Sequence, residues 1–180
     1  DFTRVGHLKT FKLPGGEIAI KEPRRAAAGV LYEIFNEEIF DNKELVKFLF
    51  LSPAEQQIIR RMLSQDINAP RTSSAGRLFD AVASLMGLCQ RVSFEGQAAM
   101  QLEYLAEQAR TEKCYRFYIS ENSNIIDWAY TIERIMCDIS SGTENKIISA
   151  KFHNTLVAMM VQIARRVGQK RIVLSGGCFQ

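Results

Sequence analysis

A chain of 180 residues with 47% apolar content can enclose one well-buried core, or form a lobe of something larger. Its net charge of +3 is too small to point to nucleic acid, and the basic pairs (Arg24-Arg25, Arg60-Arg61, Arg165-Arg166, Lys170-Arg171) are scattered along the chain as solvated faces. No apolar run approaches the roughly 18 residues of a membrane span, no basic-then-apolar leader opens at Asp1, and Cys89, Cys114, Cys137 and Cys178 contain no Cys-x-x-Cys pair. The expectation is a soluble, cytoplasmic protein with free thiols, without membrane or nucleic-acid partners.

Residues 5–13 alternate loosely and close at Pro14-Gly15-Gly16, which predicts one or two short strands, or a hairpin, within residues 1–20. Helices dominate residues 24–169. The stretch 24–40 places Ala28, Leu31, Ile34, Phe35 and Ile39 on one stripe. Ser52-Pro53-Ala54-Glu55 is a strong helix start, because Ser52 can cap, Pro53 suits the first position and Glu55 can complete a capping box; this helix is expected to end near Gln65. Further helices are expected over 76–86, 95–110, 124–139 and 144–167. In the last, Ile148, Phe152, Leu156, Met159, Met160 and Ile163 recur at helical spacing as a core-facing stripe, and Gly168 is placed to stop it. Residues 171–180 then read as a buried strand, Ile172-Val173-Leu174, running into a Ser175-Gly176-Gly177 bend. The inventory is mainly α with a few short strands (α+β), in a single unit over 1–180. A lone terminal strand needs partners for its backbone groups, either the N-terminal strands or a sheet outside this polypeptide.

Three segments can carry chemistry. Pro70 to Asp80 is the densest polar cluster, with Thr72, Ser73 and Ser74 at a helix start. These hydroxyls can cap the helix, or the free N–H groups there can face an anion or the hydroxyls of a nucleotide. Arg77 and Asp80 share a helical face and can contact phosphate or ribose, or simply pair with each other. Ser93-Phe-Glu-Gly-Gln97 is a second Gly-punctuated helix start, at which Glu95 can accept from sugar hydroxyls or Gly96 can serve only as a turn. Ser175-Gly176-Gly177 exposes backbone N–H groups of the kind that cradle an anion. His7 and His153 have no second ligand at i+3 or i+4, so no metal site is expected, and His153 reads as a structural histidine. No Walker loop, dinucleotide fingerprint, Gly-x-Ser-x-Gly elbow or His-Glu-x-x-His pair occurs, and no catalytic residue is assigned.

Taken together, Val5-Gly-His-Leu-Lys-x-Phe-x-Leu-Pro-Gly-Gly16, Glu22-Pro-x-Arg25, Thr72-Ser-Ser-x-Gly-Arg-Leu-Phe-Asp-Ala-Val82, Glu95-Gly-Gln-Ala-Ala99, Phe152-His-Asn154 and Leu174-Ser-Gly-Gly-x-Phe-Gln180 resemble the HypF family of hydrogenase maturation carbamoyltransferases. The likeness extends over nearly the whole chain. It implies part of the C-terminal transferase region, which is related to the tRNA threonylcarbamoyltransferases and has the fold shared by actin, sugar kinases and Hsp70 (ASKHA), so this chain would be the helical part of such a lobe. It further implies use of carbamoyl phosphate and ATP, through carbamoyl adenylate, to carbamoylate the C-terminal cysteine of the partner protein HypE in synthesis of the cyanide ligands of [NiFe]-hydrogenase. Under the resemblance Ser73, Ser74, Gly76, Arg77, Asp80, Glu95, Gly96, Ser175, Gly176 and Gly177 would border the nucleotide, with Arg77 standing where the tRNA enzymes carry Glu. Cys178 replaces a small aliphatic residue and is not expected to be a nucleophile, the reacting thiolate belonging to HypE. A metal is implied for the whole enzyme with its ligands outside this chain, as are contacts with the enzyme's other domains. The chain alone is therefore expected to be inactive. The alternative is a non-catalytic helical module that docks a partner protein.

Overall fold

The computed structural model describes residues 3–120 and 123–177. In chain order its elements are β1 (His7–Leu8), β2 (Phe11–Lys12), α1 (Glu17–Lys21), α2 (Pro23–Phe35), α3 (Glu38–Asp41), α4 (Lys43–Val46), α5 (Pro53–Ser64), β3 (Arg71–Thr72), α6 (Ala75–Leu85), α7 (Gln97–Glu107), β4 (Tyr118–Ile119), β5 (Ile125–Asp127), α8 (Ala129–Ser140) and α9 (Asn145–Val167). This is the mainly helical α+β inventory expected. Where the sequence reads as one unit over 1–180, contacts gather the chain into two compact units. One is Thr10–Tyr104; the other joins the chain through Lys9 to the chain from Leu105 onward. No Gly/Pro-rich linker marks that division, because it falls in tight loops and helix.

In the Thr10–Tyr104 unit the core is α2 packed on α6. Ala26, Ala27, Ala28, Val30 and Leu31 of α2 are fully buried, as are Leu78, Ala81, Val82, Ala83 and Leu85 of α6. The small alanines let the helices approach closely while the larger residues fill the space between them. The other side of α2 meets β2: a Cβ placed on Gly29 would overlap the backbone carbonyl of Lys12, so only glycine lets the strand lie there. β2 pairs antiparallel with β3, Phe11 opposite Thr72 and Lys12 opposite Arg71. That pairing sets where the chain enters α6. Lys12 also extends to the end of α5, donating to the Leu63 carbonyl at 2.7 Å and pairing with Asp66 at 2.7 Å.

Two sequence expectations hold closely here. Ser52 and Glu55 form the capping box, with Pro53 in the first turn of α5, and α6 begins within a residue of its expected start. The expected helix over 24–40 is broken instead. Asn36 adopts φ 52° and ψ −137°, off the helical path, so α2 stops at Phe35 and Ile39 is buried from the separate α3. α1 is absent from the sequence reading because it is a single short turn of helix.

In the other unit, β1 runs parallel to β5 and β4 antiparallel to it, in the order β1-β5-β4. β1 and β2 therefore belong to different sheets and form no hairpin. The helix expected over 124–139 begins only at Ala129, because Ile125, Ile126 and Asp127 pair on both edges as the central strand. Trp128 is fully buried and its indole N–H donates to the Lys9 carbonyl at 2.8 Å. α8 packs on α9 through Ile132, Ile135, Ile148 and Phe152, all fully buried. Gly168 ends α9 at φ 70°, as expected. α9 is long and apolar enough to cross a membrane by length and composition alone, yet its first half lies in this unit's core. The expected strand over 171–174 is not formed: Ile172, Val173 and Leu174 are 60%, 88% and 60% exposed, with no ladder partner among the described residues. Past the Gly168 stop the run lies exposed, and apolar composition alone makes no strand where no neighbouring strand takes up its backbone hydrogen bonds.

Replacing Gly29 with Ala should destabilise the protein by about 3 kcal/mol, since the overlap is with backbone that cannot swing away. Urea denaturation measures it, and a variant within about 0.5 kcal/mol of the parent would contradict the described approach of β2 to α2.

Candidate functional site

The segment that leaves β3 turns into α6 through two local hydrogen bonds. Thr72 Oγ1 accepts from the Ser74 N–H at 3.1 Å, and Ser74 Oγ accepts from the Arg77 N–H at 3.3 Å. Ser74 is thus the helix N-cap. Of the roles the sequence left open for these hydroxyls, Ser74 performs the capping one, while Thr72 closes the turn that precedes the cap. Ser73 stands between them, half-buried. A Cβ on Gly76 would meet only Ser74 Oγ, at an ordinary 3.6 Å, so packing within the unit does not demand glycine there.

One turn further, Arg77 and Asp80 come together inside the protein. Arg77 Nη1 lies 3.0 Å from Asp80 Oδ2, with the side chains only 13% and 5% exposed. The two atoms are close without being aligned: among the described residues, neither makes a hydrogen bond of acceptable geometry. Burial pushes the Asp80 carboxyl up to about 6; the Arg77 charge opposes the rise and the Glu95 carboxylate adds to it. A buried carboxylate in a structural ion pair ordinarily shows the reverse. Glu95 is therefore within electrostatic reach of Asp80, at the approach to α7. Next to it Gly96 takes φ 84°, with open space where a Cβ would be. The α7 start is closed by Gln97, whose Oε1 accepts from the Ser93 N–H at 2.7 Å. Cys89 lies near enough for Asp80, together with burial, to raise its thiol pKa.

Sequence reading did not single out Gln101. Its Oε1 is buried with no hydrogen bond among the described residues, which makes it another acceptor on α7. A glutamine one turn after Gln97 on a half-apolar helix gives no signal of this in sequence, because the helix's neighbours decide which polar atom becomes enclosed.

Ser73, Ser74, Gly76, Arg77, Asp80, Glu95 and Gly96 all belong to the Thr10–Tyr104 unit. Ser175, Gly176 and Gly177 belong to the other unit; they are exposed, and Gly176 has the left-handed φ of 100° expected of a bend. Cys178 lies outside the described residues. His153 bonds through Nδ1 to the Ser149 carbonyl at 2.8 Å along α9, a structural contact. Among the described residues no three His, Cys, Asp or Glu side chains gather as a metal site requires.

The Asp80 environment has a consequence for stability. Its carboxyl holds a proton more tightly in the folded state, at about 6, than its ordinary 3.8. Ionising it is thus costlier folded than unfolded. Asp80 leaves stability intact below pH about 4 and removes on the order of 3 kcal/mol as pH rises through 6. Asp80→Asn should flatten this loss and raise the melting temperature at pH 7.5 by a few degrees, measured by thermal denaturation across pH 4.5–8. An unchanged pH profile would refute the assignment.

Comparison with known proteins gives these observations a family. Residues 1–180 match the family model described as carbamoyltransferase, Kae1-like domain, second subdomain. The carbamoyltransferase HypF of Synechocystis sp. is 37% identical over 191 residues, covering 98% of this chain and 24% of that protein. A HypF homolog of Cupriavidus necator is 31% identical, covering 99% of this chain and 47% of that protein. Among solved structures, full-length HypF in a phosphate- and nucleotide-bound form superposes with a TM-score of 0.87 at 40% identity, over 99% of this chain and 28% of that one. HypF of T. kodakarensis superposes with a TM-score of 0.79 at 27% identity, over 98% of this chain and 24% of that one. The chain thus spans less than half of each of these relatives. It belongs to the HypF carbamoyltransferases, as the second subdomain of their Kae1-like domain.

Proposed function

We propose that this chain supplies one wall of the nucleotide site in a carbamoyltransferase, and that Asp80 with Glu95 accepts hydrogen bonds from the ribose hydroxyls of ATP or carbamoyl adenylate. The observation that carries the reading is the state of Asp80. Its carboxylate is buried beside Arg77, lacks a directed hydrogen bond and costs the fold stability at neutral pH. Selection for stability alone would favour Asn or an apolar residue there. A ligand hydroxyl donating to Oδ2 satisfies it, and Gly76 and Gly96 leave the backbone around it uncrowded.

In this role the chain binds and orients. Arg77 compensates the Asp80 charge from the α6 side, since its guanidinium already lies against that carboxylate. Ser175, Gly176 and Gly177, in the other unit, are proposed to bind an anion through their backbone N–H groups. The whole protein would use carbamoyl phosphate and ATP to form carbamoyl adenylate, and the C-terminal cysteine thiolate of HypE would attack the carbamoyl carbon, expelling AMP. We place the protein in the cytoplasm, with HypE and the enzyme's other domains as its partners. A metal of the full-length enzyme would be held by residues outside this chain.

Calorimetric titration with AMP tests the site. Asp80→Asn should weaken binding at least tenfold, about 1.4 kcal/mol, while leaving the protein as stable as the parent or more so; unchanged affinity would sink the reading. The chain by itself, mixed with ATP, carbamoyl phosphate and HypE, should yield no thiocarbamate by mass spectrometry, and product would overturn its assignment as a binding wall alone.

A further inference from the structure

The α6–α7 site holds its acidic group in a setting that links ligand to proton, an inference that rests on the nucleotide reading above. Two charged groups act on Asp80: Arg77 lies against it from its own helix, and Glu95, in the segment before α7, acts on it electrostatically, while Asp80 in turn adds to the rise that burial gives the Cys89 thiol. The charged residues of α2, the helix packed on α6, are turned to other partners. Arg24 pairs with Glu22 and Glu55, Arg25 with Glu22, and Glu33 with Arg71. Inside the protein, then, the one cation near Asp80 among these groups is misaligned with it, and the charge of a second carboxylate, Glu95, works against its ionisation.

We propose that a vicinal diol binds this site only against the ionised Asp80 carboxylate, so that occupancy drives a proton from Asp80 into solvent. The physical basis is donor–acceptor matching. Protonated, Asp80 carries an O–H of its own and presents one fewer acceptor; ionised, both oxygens accept, and a hydroxyl donating to the buried Oδ2 lowers the carboxyl pKa. Part of the cost of burying the charge is thereby removed by the ligand. Carbamoyl transfer would in turn meet a site whose affinity for nucleotide falls as pH drops.

Adenosine is the suitable probe, because it carries the diol without a titrating phosphate. With the free carboxyl at about 6 and the bound one near its ordinary value, adenosine should bind about tenfold more tightly at pH 7 than at pH 5. At pH 6 calorimetry in buffers of different ionisation enthalpy should show net proton release. 2′,3′-Dideoxyadenosine, and adenosine with Asp80→Asn, should bind with no pH dependence over the same range. Adenosine binding that is flat with pH, or that takes up protons, overturns the coupling and leaves the nucleotide site standing. AMP binding without adenosine binding overturns the coupling too, while failure of both ligands overturns the site itself.

Discussion

The approach of β2 to α2 at Gly29 is the contact on which the rest of the Thr10–Tyr104 unit depends. No other residue lets the Lys12 carbonyl rest on that helix. From it follows the position of β2, from β2 the position of β3, and from β3 the point at which the chain enters α6. The alanines along α2 do for α6 what Gly29 does for β2, permitting an approach that larger side chains would block. The Ser74 cap and the Arg77–Asp80 pair are carried by α6, so their placement is inherited from a glycine more than forty residues earlier in the chain.

Asp80, buried, and Asp138, half-buried, show how differently this fold treats the same side chain. Burial alone would raise Asp138, but donors at Lys151 Nζ and Tyr115 Oη, with the Lys151 charge, hold it below the ordinary carboxylate range. Lys151 also sits over the Tyr115 ring, so the three side chains form one closed, satisfied cluster. Tyr115 is shifted upward as a result of burial and the Asp138 contact, which keeps it protonated. Asp80 has one neighbouring cation and no aligned donor, and burial wins. The first arrangement is what a structural carboxylate looks like; the second is what remains when the donors are to come from a ligand.

The network around Glu22 belongs with Asp138. Arg24, Arg25 and Arg91 converge on Glu22, and Arg24 extends to Glu55, which already closes the α5 capping box. Glu55 is lowered to about 2, first by its backbone bond from Ser52 and further by Arg24. Glu22 and Arg25 of the Glu22-Pro-x-Arg25 motif thus pair at the start of α2, and Arg24 between them joins that start to the start of α5, which gives the motif a structural explanation in this unit.

The sequence by itself determined the features that depend on residues close along the chain. The Ser52–Glu55 box, the stop at Gly168, the start of α6 and the family signature were legible because capping, backbone freedom and motif spacing act over a few residues. It did not reveal that 125–127 is a central strand rather than the first turn of a helix. Strand identity there comes from pairing: with β4, the neighbouring strand that folds back across a short turn, and with β1, which lies near the other end of the chain. The same cause explains residues 171–174, whose composition suits a strand but which find no partner among the described residues. Arg77 and Asp80 could be named from their spacing as either an ion pair or a ligand contact. Only the tertiary structure decided that the pair is enclosed, misaligned and opposed by Glu95, because burial and dielectric environment are created by neighbours brought in from elsewhere in the fold.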